Sequence, residues 1–219
     1  MKKTPNSSPK EKKKKPIKTL IVIAALLLLC FTTYAALKTP RPPHLTRSST
    51  LEIARLKEEW EKGNVIAFVR HAERCDQSTA TCLDSTDGIT VPGKDVAIEV
   101  GDNFRNLGIN TTDIFTSPLK RTQQTADYMF NRKIQSQEWL ANCQNTILHN
   151  ATNNKSPKRN LVLITHSDCM KDIERSLNYS TSEKPDYSSA LMVSYDDKTE
   201  SFQIIGIIDP KDWNLSLKN

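Results

Sequence analysis

The chain alternates short, wholly apolar runs with longer stretches in which apolar residues recur every three or four positions. Val65–Val69 (VIAFV) and Leu161–Thr165 (LVLIT) show no polar alternation, the pattern of strands buried on both faces. Thr50–Lys62 places Leu51, Ile53, Ala54, Leu56 and Trp60 at helical spacing among charges, and Gly63 ends it. Further helices are predicted from about Lys94 to Asn106, closed by Gly108, and from about Asp168 to Leu177. Asp113–Thr116 reads as a short strand, with Pro118 in the first turn of a helix running to about Asn131. Ile134–Gln137 is a further strand candidate, and Asn142–Asn160 reads as helix and loop. Ala190–Tyr195 and Phe202–Ile208 form a terminal strand pair around an Asp196-Asp197-Lys198 turn. Strands alternating with helices predict an α/β three-layer sandwich, a largely parallel sheet with helices on both faces.

The N-terminus departs from this pattern. Met1–Lys18 is polar and lysine-rich and leads into Leu20–Leu37, an uncharged run whose helix would span roughly 27 Å, close to a bilayer core. Positive charge stays on the cytoplasmic side, which places the rest of the chain outside the cytoplasm. The expected organisation is a basic region at 1–18, a signal peptide or membrane anchor at 19–37, a Pro-containing linker at 38–49 and one domain at 50–219. Small residues at Thr33, Ala35 and Ala36 would suit signal peptidase, so a membrane is a partner only if the segment is uncleaved.

The formal charge of +6 has to be read with that leader removed. Met1–Lys18 holds eight lysines and one glutamate, so of 31 basic and 25 acidic side chains the remainder keeps 23 and 24. The exported part is near neutral, and nucleic acid is not an expected partner. Cysteines beyond Cys30 would meet an oxidising compartment. Cys75 and Cys82 lie close together around a polar loop and are predicted to pair. A Cys143–Cys169 pair is the accompanying expectation, although sequence alone does not fix connectivity and buried free thiols are the alternative.

Chemistry concentrates after the apolar runs, where open α/β sheets bind ligands. VIAFV is followed by Arg70-His71-Ala72-Glu73-Arg74, LVLIT by His166-Ser167-Asp168, and the strand at 113–116 by Ser117-Pro118-Leu119-Lys120-Arg121. Two of the chain's four histidines thus sit at strand ends, with arginines at two such points. Arginine offers a fork of donors that matches phosphate oxygens, and neutral imidazole can attack phosphorus. His44 and His149 lie in motif-free polar contexts and read as surface residues. No His-x-His, His-Glu-x-x-His or carboxylate cluster marks a metal site, and neither metal nor other cofactor is expected.

FVRHAER resembles the signature of the histidine phosphatase superfamily (the phosphoglycerate-mutase-like fold), SPLKRTQQTA its second motif and LITHSD its second-histidine strand. GITVPGKDVAIEVGDNF is similar to a further segment of that superfamily. These motifs cover roughly Asn64 to Ile208. The resemblance implies a phosphomonoester hydrolase with a phosphohistidine intermediate, in which Arg70, His71, Arg121 and His166 form the phosphate pocket. The run RHAERCDQSTATCLDSTDGITVPG and the N-terminal segment look like the lipopolysaccharide core heptose(II)-phosphate phosphatase family. That implies a phosphorylated sugar of the lipopolysaccharide core as substrate and the periplasm as location.

Ala72 and Ser167 stand where that superfamily has glycine, and Asn142 falls where many members carry a glutamate. The acid that protonates the leaving group is then either Asp168 or Glu138. Arg74, Glu73 and Ser167 are candidate substrate contacts. Two alternatives stay open: a phosphatase for another exported phosphoester, and a phosphate-binding or regulatory protein that has lost turnover. Phosphoglycerate mutase and phosphohistidine-protein phosphatase are disfavoured by export.

Overall fold

A computed structural model describes residues 17–37, 39–46, 48–181 and 184–213, with the side chains of 17–19 and 34–37 outside the description. The basic tract predicted at Met1–Lys18 lies outside it up to residue 16. The chain divides into two units, Met1–Thr39 and Pro40–Asn219. The first contains α1 (Ile17–Leu37), whose apolar side chains, Leu27 and Phe31 among them, are exposed. Among the described residues no helix is long and apolar enough to cross a membrane.

The second unit is built on a five-stranded sheet of β1 (Val65–Arg70), β2 (Thr112–Thr116), β3 (Asn160–Thr165), β4 (Ala190–Asp196) and β5 (Ser201–Ile208). The strand order is β2-β3-β1-β4-β5, with β2, β3 and β1 mutually parallel and β4 antiparallel to both neighbours. Four of the five strands therefore point one way. β1 and β3 are buried along their whole length, which explains their unbroken apolar runs.

The twofold alternation of strand side chains builds the layers. Val65, Ala67 and Val69 of β1 face one core with Leu56, Trp60, Val100, Phe104 and Met129. Those residues come from α2 (Thr50–Glu61), α3 (Val91–Leu107) and α4 (Lys120–Phe130). Ile66 and Phe68 face the other, with Ile147 of α5 (Ile147–Asn153) and Met170 and Ile173 of α6 (Ser167–Ser176). This is the predicted three-layer sandwich.

Several boundaries differ from the sequence pattern for local reasons. Thr90 caps α3 by accepting from the Gly93 N–H at 3.0 Å, which starts that helix three residues earlier than its apolar period. Pro118 lies before α4, because the first helical acceptor is the Leu119 carbonyl, bonded by the N–H groups of Thr122 and Gln123. Residues 134–137 make only one bridge, Ser136 to Thr116, before the chain turns at Glu138–Leu140.

The segment read as a linker is extended but docked. The Leu45 N–H donates to the Ile207 carbonyl at 2.7 Å, and Leu45 is fully buried over Gly206, where a Cβ would collide with it. Both expected disulfides, Cys75–Cys82 and Cys143–Cys169, are present.

Where α3 crosses α4, a Cβ on Gly101 would run into the Met129 carbonyl oxygen. Gly101→Ala is expected to destabilise the fold by about 1–3 kcal/mol through overpacking, read as a lower thermal midpoint. An unchanged midpoint would mean the helices part freely there.

Candidate active site

The parallel strands β1, β2 and β3 end at the same edge of the sheet, so the residues following them converge. The backbone holds them there. The His71 N–H donates to the Thr165 carbonyl at 3.0 Å, and that of Ser117 to Ile164 at 2.9 Å. Because β4 runs the opposite way, the segment before it arrives at this edge too, and the Arg70 N–H donates to the Ser189 carbonyl at 2.9 Å.

A cavity of about 520 Å³ opens at this edge, and Arg70, His71, Arg121, His166, Ser167 and Asp168 line it. Arg74 and Gln77 form one lip and residues 141–144 the opposite wall. Each disulfide secures part of this rim. Cys75–Cys82 closes the loop beside Arg74, and Cys143–Cys169 ties the wall to the first turn of α6.

His71 is 4 % exposed, and its Nδ1 lies 2.8 Å from the Ala72 carbonyl oxygen. Only a protonated Nδ1 can donate there, so Nε2 is the nitrogen with the free lone pair. Burial pushes the His71 imidazole down to about 3, with His166, Arg121 and Arg70 adding to the effect and the Ala72 carbonyl opposing it. His166 is pushed down to about 4 by burial and then by Arg121, with Asp168 opposing. Its Nε2 lies 3.0 Å from Ser117 Oγ and its Nδ1 3.5 Å from Arg121 Nη2.

Burial also lowers both arginines from their ordinary value, yet guanidinium remains ionised at any working pH. The Nε atoms of Arg70 and Arg121 are buried without a hydrogen-bond partner. Two cations without a carboxylate partner among the described residues, beside two neutral imidazoles, make a receptor for a compact dianion. A positioned neutral imidazole beside such a receptor can perform phosphoryl transfer. Among the described residues no group of three or more His, Cys, Asp and Glu side chains is arranged to hold a metal ion.

The family model of the histidine phosphatase superfamily (branch 1) matches residues 66–155. A lipopolysaccharide core heptose(II)-phosphate phosphatase of Escherichia coli O7:K1 is 35% identical over 152 residues, spanning 68% of this chain and 74% of that protein. The chain belongs to the histidine phosphatase superfamily. It is a phosphatase by that membership. The protein of the same name from Shigella sonnei is 34% identical over the same spans. Two solved structures share the histidine phosphatase fold. A phosphoserine phosphatase from Entamoeba histolytica matches at TM-score 0.52 and 13% identity, over 68% of this chain and 98% of that one. A phosphoglycerate mutase from Bacillus anthracis matches at 0.50 and 11%, over 72% and 99%.

In this histidine phosphatase the structure gathers Arg70, His71, Arg74, Arg121, His166, Ser167 and Asp168 around one cavity. Arg74 is partly occupied, since its guanidinium pairs with Asp76. Glu73 and Glu138 are elsewhere. The Glu73 carboxylate accepts from Thr90 Oγ1 at 2.7 Å, so it supports the α3 cap rather than lining the cavity. Glu138 is exposed in its turn, and the residues reaching the cavity from that stretch are Ala141–Gln144.

Pattern reading gave Ser117 and Asn142 no role of their own and missed Gln144, Asp172, Lys184 and Tyr187. Ser117 holds the position after β2 that His71 and His166 hold after β1 and β3, a signal that was available. Tyr187 had none, because only the antiparallel entry of β4 delivers it here.

Both imidazoles bind protons less readily when folded than near their ordinary 6.5, so the native state carries fewer protons there. Their contribution to stability is present above pH 6.5 and is lost as pH falls toward the folded values. In an NMR titration of the ring protons, His71 is expected to stay neutral through pH 5 and to protonate only near the folded-state range. A midpoint near 6.5 would contradict the buried setting.

Proposed function

We propose that this phosphatase hydrolyses a phosphomonoester through a phosphohistidine at His71, and that its substrate is a phosphorylated heptose of the lipopolysaccharide core. One observation carries the chemical reading. His71 Nδ1 is committed to the Ala72 carbonyl, and the ring shares a cavity with the guanidinium residues Arg70 and Arg121, neither of them ion-paired among the described residues.

In the proposed reaction Nε2 attacks phosphorus while the P–O bond to the sugar breaks. Arg70, Arg121 and His166 stabilise the equatorial oxygens, and an acid delivers a proton to the leaving oxygen. Water then attacks the phosphohistidine, the same acid takes up its proton, and phosphate leaves. Asp168 is the acid in this scheme. It lines the cavity beside His166, whereas Glu138 does not.

The substrate reading rests on the curated relatives and on the polar lining. Asn142, Gln144, Gln77 and Asp172 supply neutral and charged partners suited to sugar hydroxyls around the phosphate pocket. Residues 1–37 are proposed to export the domain to the periplasm, as a cleaved signal peptide or as a membrane anchor if retained. The two disulfides support an oxidising destination.

Full-length protein in detergent, wild type and His71→Ala, is incubated with phosphorylated lipopolysaccharide core and released phosphate is measured. Release by wild type alone is expected. Activity confined to an aryl phosphate would remove the glycolipid, and activity on neither would favour a binding protein.

Asp168→Asn is expected to lose about 10²-fold or more on a poor alkoxide leaving group but little on an aryl phosphate. Glu138→Gln should behave as wild type on both. The reverse pattern, or equal losses on both substrates, would place the acid elsewhere.

A further inference from the structure

Arg70 is held from behind by a residue that does not line the catalytic cavity. Its Nη1 donates to the Pro185 carbonyl, and its guanidinium carbon lies 3.7 Å from the centroid of the Tyr187 ring. The same ring sits 5.7 Å from the His71 ring. Its hydroxyl is 3.0 Å from Gln77 Oε1, on the lip closed by Cys75–Cys82. Tyr187 thereby spans from the floor of the phosphate pocket to its rim.

The ring lines a separate cavity of about 330 Å³ together with Pro92, Val96 and Lys211, none of which lines the catalytic cavity. The backbone enforces this placement. Ser188 is buried at φ 62°, a left-handed conformation that a residue with a Cβ rarely adopts unless its surroundings impose it. The Ser188 N–H donates to the His71 carbonyl at 3.3 Å, so the tyrosine is registered to the histidine it neighbours.

A planar guanidinium has two ways to be held: through its N–H donors in the plane, or through its face. Donors spent on the protein are lost to the phosphate. Here Pro185 takes Nη1, the Tyr187 face fixes the plane, and Nε stays unspent. An aromatic face attracts the cation without consuming any donor. We infer that Tyr187 is a positioning residue, whose ring face orients the Arg70 fork toward the transferring phosphoryl group and whose hydroxyl anchors the ring through Gln77.

The inference rests on the phosphatase reading of the cavity, so turnover of an aryl phosphate by full-length wild type and its loss in His71→Ala are measured alongside. Tyr187→Phe keeps the face and is expected to retain kcat within about threefold. Tyr187→Leu and Tyr187→Met keep bulk without the face, and are expected to lose about 10- to 100-fold in kcat with a smaller change in KM. Thermal midpoints are recorded for all, so that whichever of the two remains folded gives the result.

The decisive comparison is made in an Arg70→Ala background, where a residue acting only through Arg70 has nothing left to orient. There Tyr187→Leu or Tyr187→Met should cost no further activity. Wild-type rates in the folded aliphatic variants, an equal loss in Tyr187→Phe, or an undiminished Tyr187 effect without Arg70 would each overturn the inference while leaving the phosphatase reading intact. Absence of wild-type turnover would overturn both.

Discussion

The site turns on one electrostatic constraint: Arg70 is buried and Arg121 half-buried, with no carboxylate bonded to either among the described residues. Removing an ion from water costs roughly several kcal/mol even after the protein relaxes, and ion pairs normally offset it. Here the offset is deferred to a ligand. The same positive field, added to burial, holds His71 and His166 well below their ordinary range. Burial and neighbouring cations therefore keep the nucleophile candidate unprotonated without any neighbouring base. An ion pair to either arginine would relieve the strain and would also remove the dianion receptor.

Such a pocket needs walls that do not yield to the repulsion inside it. The sheet supplies the floor, because three parallel strands and the incoming end of β4 fix four backbone segments at one edge. Loops supply the rim, and loops alone would give way. The two disulfides lie at this rim, one on the lip carrying Arg74 and Gln77, the other joining the 141–144 wall to α6.

How much of this was legible in the sequence depends on whether a residue's position follows from period or from topology. Arg70, His71 and His166 end or directly follow apolar runs, and Arg121 is the second residue of the helix after β2, so the pattern places all four at the edge where the cavity opens. Glu73 follows the same run, but chain direction after a strand end obeys no period, and its carboxylate bonds Thr90 away from the cavity lining. Glu138 lies outside the lining because the stretch at 134–140 ends in a tight turn that exposes it, and residues 141–144 line the cavity instead. Tyr187 lies 117 positions after Arg70 in the numbering, and no local signal anticipates a contact that exists because β4 runs antiparallel to β1. The docked segment around Leu45 was hidden for the same reason, since its partner is Gly206 at the far end of the chain.

The carboxylates on α6 show how geometry divides labour that sequence leaves open. Asp168 and Asp172 are four residues apart, hence one above the other on a single helical face, and both line the cavity. Asp172 is ion-paired with Arg175 on the same helix. Asp168 forms no ion pair among the described residues and sits in the first turn, two residues from His166, whose proton affinity it raises. A group that must carry a proton and then give it up is better served by the carboxylate that no cation holds. Asn142, also in the lining, fits the same logic, since an amide there adds no further negative charge to a pocket that already holds Asp168 and Asp172.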